Sequence, residues 1–340
     1  MSDLPPYPPP PPDPPSADQG PAADQPPAAP APPPAATYPP APKYASATPA
    51  YGYPPAPGQR RGSRNLWVVI ASIAVVVVLL VGVIAYVSAG YVYASSRISD
   101  ASGAINGASA HRAYVNTTFD LLDQQVSSFA QMSDAKVDKS TAGQLVSESQ
   151  SIRTIVGGDD QAMAAARSRL HDQQWLAAIS SGRLAAEAGR IDHARTAAVA
   201  VKSAADGYLL LGQFYQAYFQ ALIDWDAMLA AAKNNDFVGT SSADALLGAD
   251  AAKAQQLTAN APGLPSQYHD FLVLLQAYAV DVAKVLNART AADSDAADKQ
   301  VTADLTAMNA LDFTGFAAKI KSYYQHYRDD FNAEMDKATT

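Results

Sequence analysis

The chain has 340 residues, a formal net charge of −8, 25 prolines and no cysteine. Without cysteine, disulfides, thiolate metal sites and cysteine nucleophiles are excluded together. Residues 1–64 hold four acidic and four basic residues, so the negative balance belongs to the remainder, a poor match for nucleic acid or anionic headgroups.

Residues 1–64 carry 23 of the 25 prolines, including two copies of YPPAP at Tyr38–Pro42 and Tyr53–Pro57. Proline lacks the amide hydrogen and fixes φ, which closes helix interiors and sheets to this stretch. Large aliphatic residues are nearly absent, so the expectation is a disordered, partly polyproline-II tail. Its repeated PxxP spacing suits aromatic-lined grooves, but runs this dense contain PxxP by default, and a solvated spacer is the preferred reading. Arg60, Arg61 and Arg64 close the tail.

Leu66 to Ala89 follows, 24 residues without charge or proline. A hydrocarbon core about 30 Å thick needs roughly 20 apolar residues in a helix. Only helix satisfies every backbone group within one segment there, which overrides the strand preference of its valines and isoleucines. Trp67 and Tyr86 sit near the two ends, where interfacial aromatics belong. The arginines place the tail in the cytoplasm and the C-terminal part outside, since the first basic residues beyond the run are Arg97 and Arg112. A cleavable signal peptide has a shorter apolar core nearer the N-terminus, although the small residues around Ser88–Gly90 leave cleavage as a minor alternative. The division is 1–64 as tail, 65–90 as membrane helix and 91–340 as an extracytoplasmic helical domain.

Ile98, Ala101, Ile105, Ala108, Val115, Phe119, Leu122, Val126 and Phe129 form a coiled-coil-like heptad stripe with one position skipped at Arg112. The membrane helix either runs into this one or meets it across a hinge near Gly90. A turn at Ser133–Ser140 precedes a capping box at Thr141–Gln144 and a helix bearing Leu145, Ile152 and Ile155. Gly157-Gly158 is expected to stop it, with Asp159 or Asp160 capping a helix of Met163, Leu170, Trp175 and Ile179 that pauses at Ser180–Gly182. Leu184–Ala205 is alanine-rich. Leu211, Tyr215, Tyr218, Leu222, Trp225 and Leu229 recur at 4, 3, 4, 3, 4, widened by Phe214, Phe219 and Ile223, and predict the most buried helix. In that helix Trp225 is expected to point inward, with Asp224 and Asp226 reaching solvent on either side.

Asn234–Asp236 ends this segment, and a shorter helix covers Ser242–Ala259. Pro262 and Pro265 break the chain. Ser266 caps a helix with Tyr268, Leu272, Leu275, Ala279, Val282 and Leu286 on one face, and the last carries Phe316, Ile320, Tyr323, Tyr327, Phe331 and Met335. No period-two alternation marks a strand, so the fold class is all-α: a tail, one transmembrane helix and an extracytoplasmic multi-helix bundle.

No catalytic, cofactor-binding or metal-ligating residue is assigned. His171-Asp172, Asp192-His193 and His269-Asp270 are sequence neighbours, which diverge by about 100° on a helix and do not converge on one ion, and His111 and His326 complete the five. Asp293, Asp295 and Asp298 lack the glycine and terminal glutamate of a calcium loop and fit a capped helix start better. Phosphate-cradling glycine loops and nucleophile-elbow motifs are absent. Tyr208, Tyr215, Tyr218, Tyr268, Tyr278, Tyr323, Tyr324 and Tyr327 could line a cleft, but their helical spacing favours core positions with hydroxyls at the rim. Asn116 begins an N-T-T glycan acceptor of little weight on a helix.

The Pro/Ala/Tyr tail, the Gln59–Arg64 cluster and the Val/Ile-rich anchor together resemble single-pass membrane proteins of actinobacteria and similar bacteria. That resemblance covers about the first quarter of the chain and implies architecture without an activity. The leading expectation is a binding or scaffold module at the cell envelope, with the bilayer held through 66–89, an envelope protein or small ligand as partner, and no nucleic acid. A sensor coupling the domain to the tail comes next, and an envelope enzyme third.

Overall fold

The computed structural model describes residues 63–131, 134–172 and 180–340. Residues 1–62, with nearly all of the expected tail, lie outside the described residues, as do Trp175 and Ile179. The side chains of residues 63–70, Trp67 among them, are likewise outside.

Among the described residues every regular element is helical: α1 (Ser63–Ala110), α2 (Arg112–Ser128), a 3-10 turn (Phe129–Gln131), α3 (Ala135–His171), α4 (Ser181–Lys233), α5 (Phe237–Thr258), α6 (Gln267–Leu286), α7 (Ala291–Asn309) and α8 (Phe316–Thr339). One helix among them is long and apolar enough to cross a membrane. Val75 to Ile84 are exposed along it.

α1 has no hinge at Gly90. The apolar run continues as one helix of 48 residues. Packing begins at Gly90, and Ala94, Ala101 and Ile105 are buried. The heptad stripe is buried from Ala101 through Phe129, and Ile98 is half-buried. The helix breaks at His111, beside the skipped position, where Arg112 turns out of the core and donates to Asn332 Oδ1 at 2.9 Å.

α4, 53 residues long, is the axis against which α1, α3, α5 and α8 pack. α3 lies antiparallel along it, tied by Arg195–Asp160 at 2.8 Å and Arg153–Asp206 at 3.0 Å. The backbones close where Gly212 sits against Val146 and the Ala142 carbonyl: an added Cβ would meet them at 2.8 and 3.2 Å. α8 runs back along the N-terminal part of α4, with Arg190 Nε donating to the Ala338 carbonyl at 2.8 Å. Tyr324 stacks on Tyr208 at 3.9 Å between centroids, in space that Gly207 leaves open. Beyond these, α5 packs on the C-terminal part of α4, α6 on α5 and α7 on α6. The domain thus has a near half (the end of α1, α2, α8 and the adjoining parts of α3 and α4) and a far half (α5 to α7 on the rest of α3 and α4).

Three expected boundaries are corrected. α3 begins at Ala135, not Thr141, because Asp134 caps it by accepting from Lys136 N at 2.8 Å and Val137 N at 3.2 Å. Thr141 instead bonds back to the Val137 carbonyl inside the helix. Gly157-Gly158 does not stop α3, which continues to His171. Each glycine costs about 1 kcal/mol against alanine, but Ile152, Val156, Met163 and Leu170 bury one continuous face and outweigh it. Asp159 and Asp160, freed from capping, pair with His111 and Arg195.

α5 starts at Phe237, ahead of the expected Ser242; the other signals hold. α4 ends at Lys233, α5 is capped by Asp236 through Gly239 N at 2.8 Å, and Thr290 caps α7 through Asp293 N at 3.1 Å. Ser266 precedes α6 as expected, but its side chain makes no capping bond.

Candidate ligand cleft

The core of α4 is aromatic. Tyr208, Phe214, Tyr215, Tyr218 and Phe219 are all buried. Tyr268 and Tyr324 join them from α6 and α8, and their hydroxyls lie inside the protein, not at the rim. Tyr208 donates to Asp123 Oδ1 at 2.6 Å, Tyr215 to Tyr268 at 3.1 Å, and Tyr324 to the Pro262 carbonyl at 3.0 Å. Burial raises these phenols, that of Tyr268 to about 12, so all of them stay neutral. Tyr323 is partly exposed, the buried neighbour being Tyr324.

The predicted α4 face turns as it advances. Leu211 and Tyr215 are buried, Leu222 and Trp225 half-buried, and Leu229 is 47% exposed. A strict 3.5-residue repeat drifts by about 20° per heptad on a straight helix of 3.6 residues per turn. The buried face passes to Ala221, Asp224 and Met228. Asp224 is therefore buried, not solvent-facing as the sequence suggested, and Trp225 turns toward α6 and α7.

That rotation opens a cleft of about 1010 Å³. Tyr218, Leu222, Trp225 and Ala230 of α4 form one wall, Phe271 of α6 the back, and Leu305 and Met308 of α7 with Leu311 and Phe313 the other side. Phe313 is held from several directions. Thr314 N donates to Asp312 Oδ1 at 2.8 Å, and the Phe313 ring packs at 5.1 Å on Phe316, 5.4 Å on Tyr268 and 5.8 Å on Phe271. Gly315, at φ 72°, permits the turn into α8. Trp225 meets Tyr278 edge-on at 5.6 Å and Phe271 at 6.3 Å. Its Nε1–H is enclosed without a hydrogen bond of ordinary geometry, the Tyr278 hydroxyl being the group a small shift would bring to it. Asp134, Lys136, Asp226 and Asn309 give the cleft its polar residues.

Buried carboxyls surround this part of the molecule. Asp224 accepts from Gln220 Nε2 at 2.9 Å through Oδ1, while Oδ2 has no donor and faces Asp250 of α5. Asp244 Oδ1 and Asp304 Oδ2 are likewise buried without donors. Burial pushes Asp224 and Asp244 up to about 6 and raises Asp304 and Asp138.

The histidines do not converge. His111 pairs with Asp159 at 2.9 Å, His193 with Glu334 at 2.6 Å, and His171 contacts Arg167. His269 lies 3.6 Å from Asp270, and the His326 ring lies tilted against Tyr327 at 3.8 Å between centroids. Among the described residues no three His, Asp or Glu side chains are grouped to hold a metal ion. Asn116 is committed to packing α2 on α8, its Nδ2 donating to Asn332 Oδ1 at 3.1 Å. The cleft itself left only one trace in the sequence, the aromatic and leucine spacing of α4, because its other walls come from segments far apart in the chain.

No protein-family model, curated protein or solved structure matches this chain.

Proposed function

We propose that this chain is a membrane-anchored binding module of the cell envelope, with its ligand held in the cleft beside Trp225. The observation that carries the reading is the cleft: about 1010 Å³, walled by fixed aromatic and aliphatic side chains and edged by a few polar groups. That is the general form of small-molecule sites. The ligand it suits is an apolar chain or ring with a small polar end, for which Lys136 offers an ammonium at the edge. α1 serves as the bilayer anchor, Arg60, Arg61 and Arg64 keep its N-terminal side in the cytoplasm, and the helical domain stands outside.

Two experiments test this. A reporter active only outside the cytoplasm, fused after Thr340, is expected to be active, and activity from a fusion before Leu66 would reverse the orientation. Full-length protein in nanodiscs is expected to bind decane-1-sulfonate, measured by calorimetry against empty nanodiscs. Ala227→Trp, at an exposed position in the cleft, should abolish that binding and leave the melting temperature unchanged. Equal heats from wild type and variant would remove the cleft as the site.

The unbroken α1 supports a second reading, a sensor that couples the domain to the proline-rich tail, since such coupling needs continuous helix between them. Binding of a tail partner that changes when decane-1-sulfonate occupies the cleft would favour it.

A further inference from the structure

We propose that the far half is a proton-operated clamp on the cleft: it closes when Asp224, Asp244 and Asp304 are protonated and loosens when they ionise. The proposal rests on the cleft being the ligand site and adds how that site is regulated.

The geometry places one of these carboxyls in each of α4, α5 and α7. Asp224 of α4 is 7% exposed, Asp244 of α5 6%, and Asp304 of α7 5%. Each has an oxygen sealed from water with no donor. A carboxylate only accepts hydrogen bonds, so two facing carboxyls bond only if one carries a proton. Asp224 faces Asp250 of α5. Its other neighbours are Gln220 on its own helix and Lys139 of α3, whose ammonium is engaged by Gln220. Lys253 lines the same crevice as Asp250 and Lys139. Asp304 faces Asp281 of α6, with Gln300 Nε2 at 3.3 Å, while Lys284 is bound to Asp281 at 2.6 Å. Asp244 is raised by burial and sits near the neutral Tyr278 of α6.

Neither Asp224 nor Asp304 lines the cleft itself, but each stands next in the chain to a residue that does. Asp224 precedes Trp225, and Asp304 precedes Leu305, each of which lines a wall. Ionising them charges the α4–α5 and α6–α7 contacts that carry those wall helices, without an added cation. The relief is local separation of α5–α7 from α4 and rehydration of the carboxylates. The direction follows from proton binding. Asp224 and Asp244 titrate at about 6 in the closed lobe and near 3.9 when released. The closed lobe therefore binds more protons, is favoured in acid, and weakens as pH rises through about 6. Each such group makes opening roughly tenfold easier at about pH 8 than at about pH 5.

The test uses full-length protein in nanodiscs. Amide hydrogen exchange, corrected for its intrinsic pH dependence, should show α5–α7 opening at least about tenfold more often at about pH 8 than at about pH 5, with a smaller change in α8, beside which burial also raises Asp123 of α2 but Tyr208 and Lys321 hold it. Asp224→Asn/Asp244→Asn/Asp304→Asn should remove the difference. Decane-1-sulfonate, whose charge is constant across this range, should bind several-fold more weakly at the higher pH to wild type but not to the triple variant. Equal pH responses of α5–α7 and α8, or a response that survives the triple substitution, would overturn the clamp. Failure of the probe to bind at any pH defeats the cleft reading, and the exchange data still decide whether protons hold the lobe closed.

Discussion

The two halves of the helical domain bury acids in opposite ways. In the near half, Glu187 accepts from Ser102 at 2.8 Å and from Arg190 at 3.0 Å, and Asp123 from Tyr208 at 2.6 Å with Lys321 at 3.9 Å. In the far half, Asp224 and Asp304 face other carboxyls, and Asp244 and Asp138 each bury an oxygen without any donor. The near half thus resembles a fixed mounting, whose buried acids have donors, although Gln125 Oε1 of α2 is buried without one. The far half also buries apolar side chains but leaves several carboxyl oxygens without donors. Uncompensated buried groups are expensive, and they persist in native proteins mainly where function requires them.

The comparison can be broken from its strong side first. Tyr208→Ala removes a buried ring, its stack on Tyr324 and the donor to Asp123, and should cost about 3–5 kcal/mol in chemical or thermal melts of the detergent-solubilised chain. A loss below about 1 kcal/mol would mean the near half is not the mounting described. Tyr208→Phe keeps the ring and deletes only the hydroxyl, leaving Asp123 short of a donor, and should cost about 2 kcal/mol.

The cleft side should respond less. Trp225→Ala is expected to cost about 1–2 kcal/mol, below the usual range for a fully buried aromatic, because the ring is only half-buried. A larger loss would make Trp225 a core residue and close the cleft as a candidate. Asp244→Asn should act more strongly at high pH than at low. It should stabilise the chain by about 1 kcal/mol more at about pH 8 than at about pH 5, since the wild-type cost of burying the charge grows as the folded carboxyl ionises. Destabilisation at both pH values would show that Asp244 has a partner in solution. The smallest effect belongs to Gly157→Ala. An added methyl meets nothing within 4 Å, so the variant should gain up to about 1 kcal/mol of helix stability.

The helices were legible where periodicity and punctuation agreed. The proline pair at Pro262 and Pro265, the Asn234–Asp236 break and the stripe from Ala101 to Phe129 each state one physical constraint that packing does not override. Gly157-Gly158 was misleading because a propensity penalty of about 1 kcal/mol per residue is small beside the burial of several large side chains on one face. Thr141 misled for a related reason: any Ser or Thr with Gln three residues on imitates a cap, and only the chain path selects Asp134. Asp224 could not be placed from sequence, because its burial depends on how far the α4 face has rotated by that point. The cleft was almost invisible. Phe271, Met308 and Phe313 reach it from α6, α7 and the loop before α8, and no local pattern announces that meeting.

The unbroken α1 has a mechanical consequence. At 1.5 Å per residue its 48 residues form a rod about 72 Å long, and packing along its second half begins at Gly90. For the membrane placement proposed above, the domain cannot swivel on its anchor. Membrane helices tilt to match bilayer thickness, and a rod of that length converts a tilt of about 5° into a lateral displacement of about 6 Å at its far end. Azimuth is locked as well. One residue inserted between Ser88 and Gly90 would turn the whole domain by about 100° relative to the lipid-facing side chains. Bilayer thickness and the anchor's own register would therefore set which way the cleft faces along the envelope.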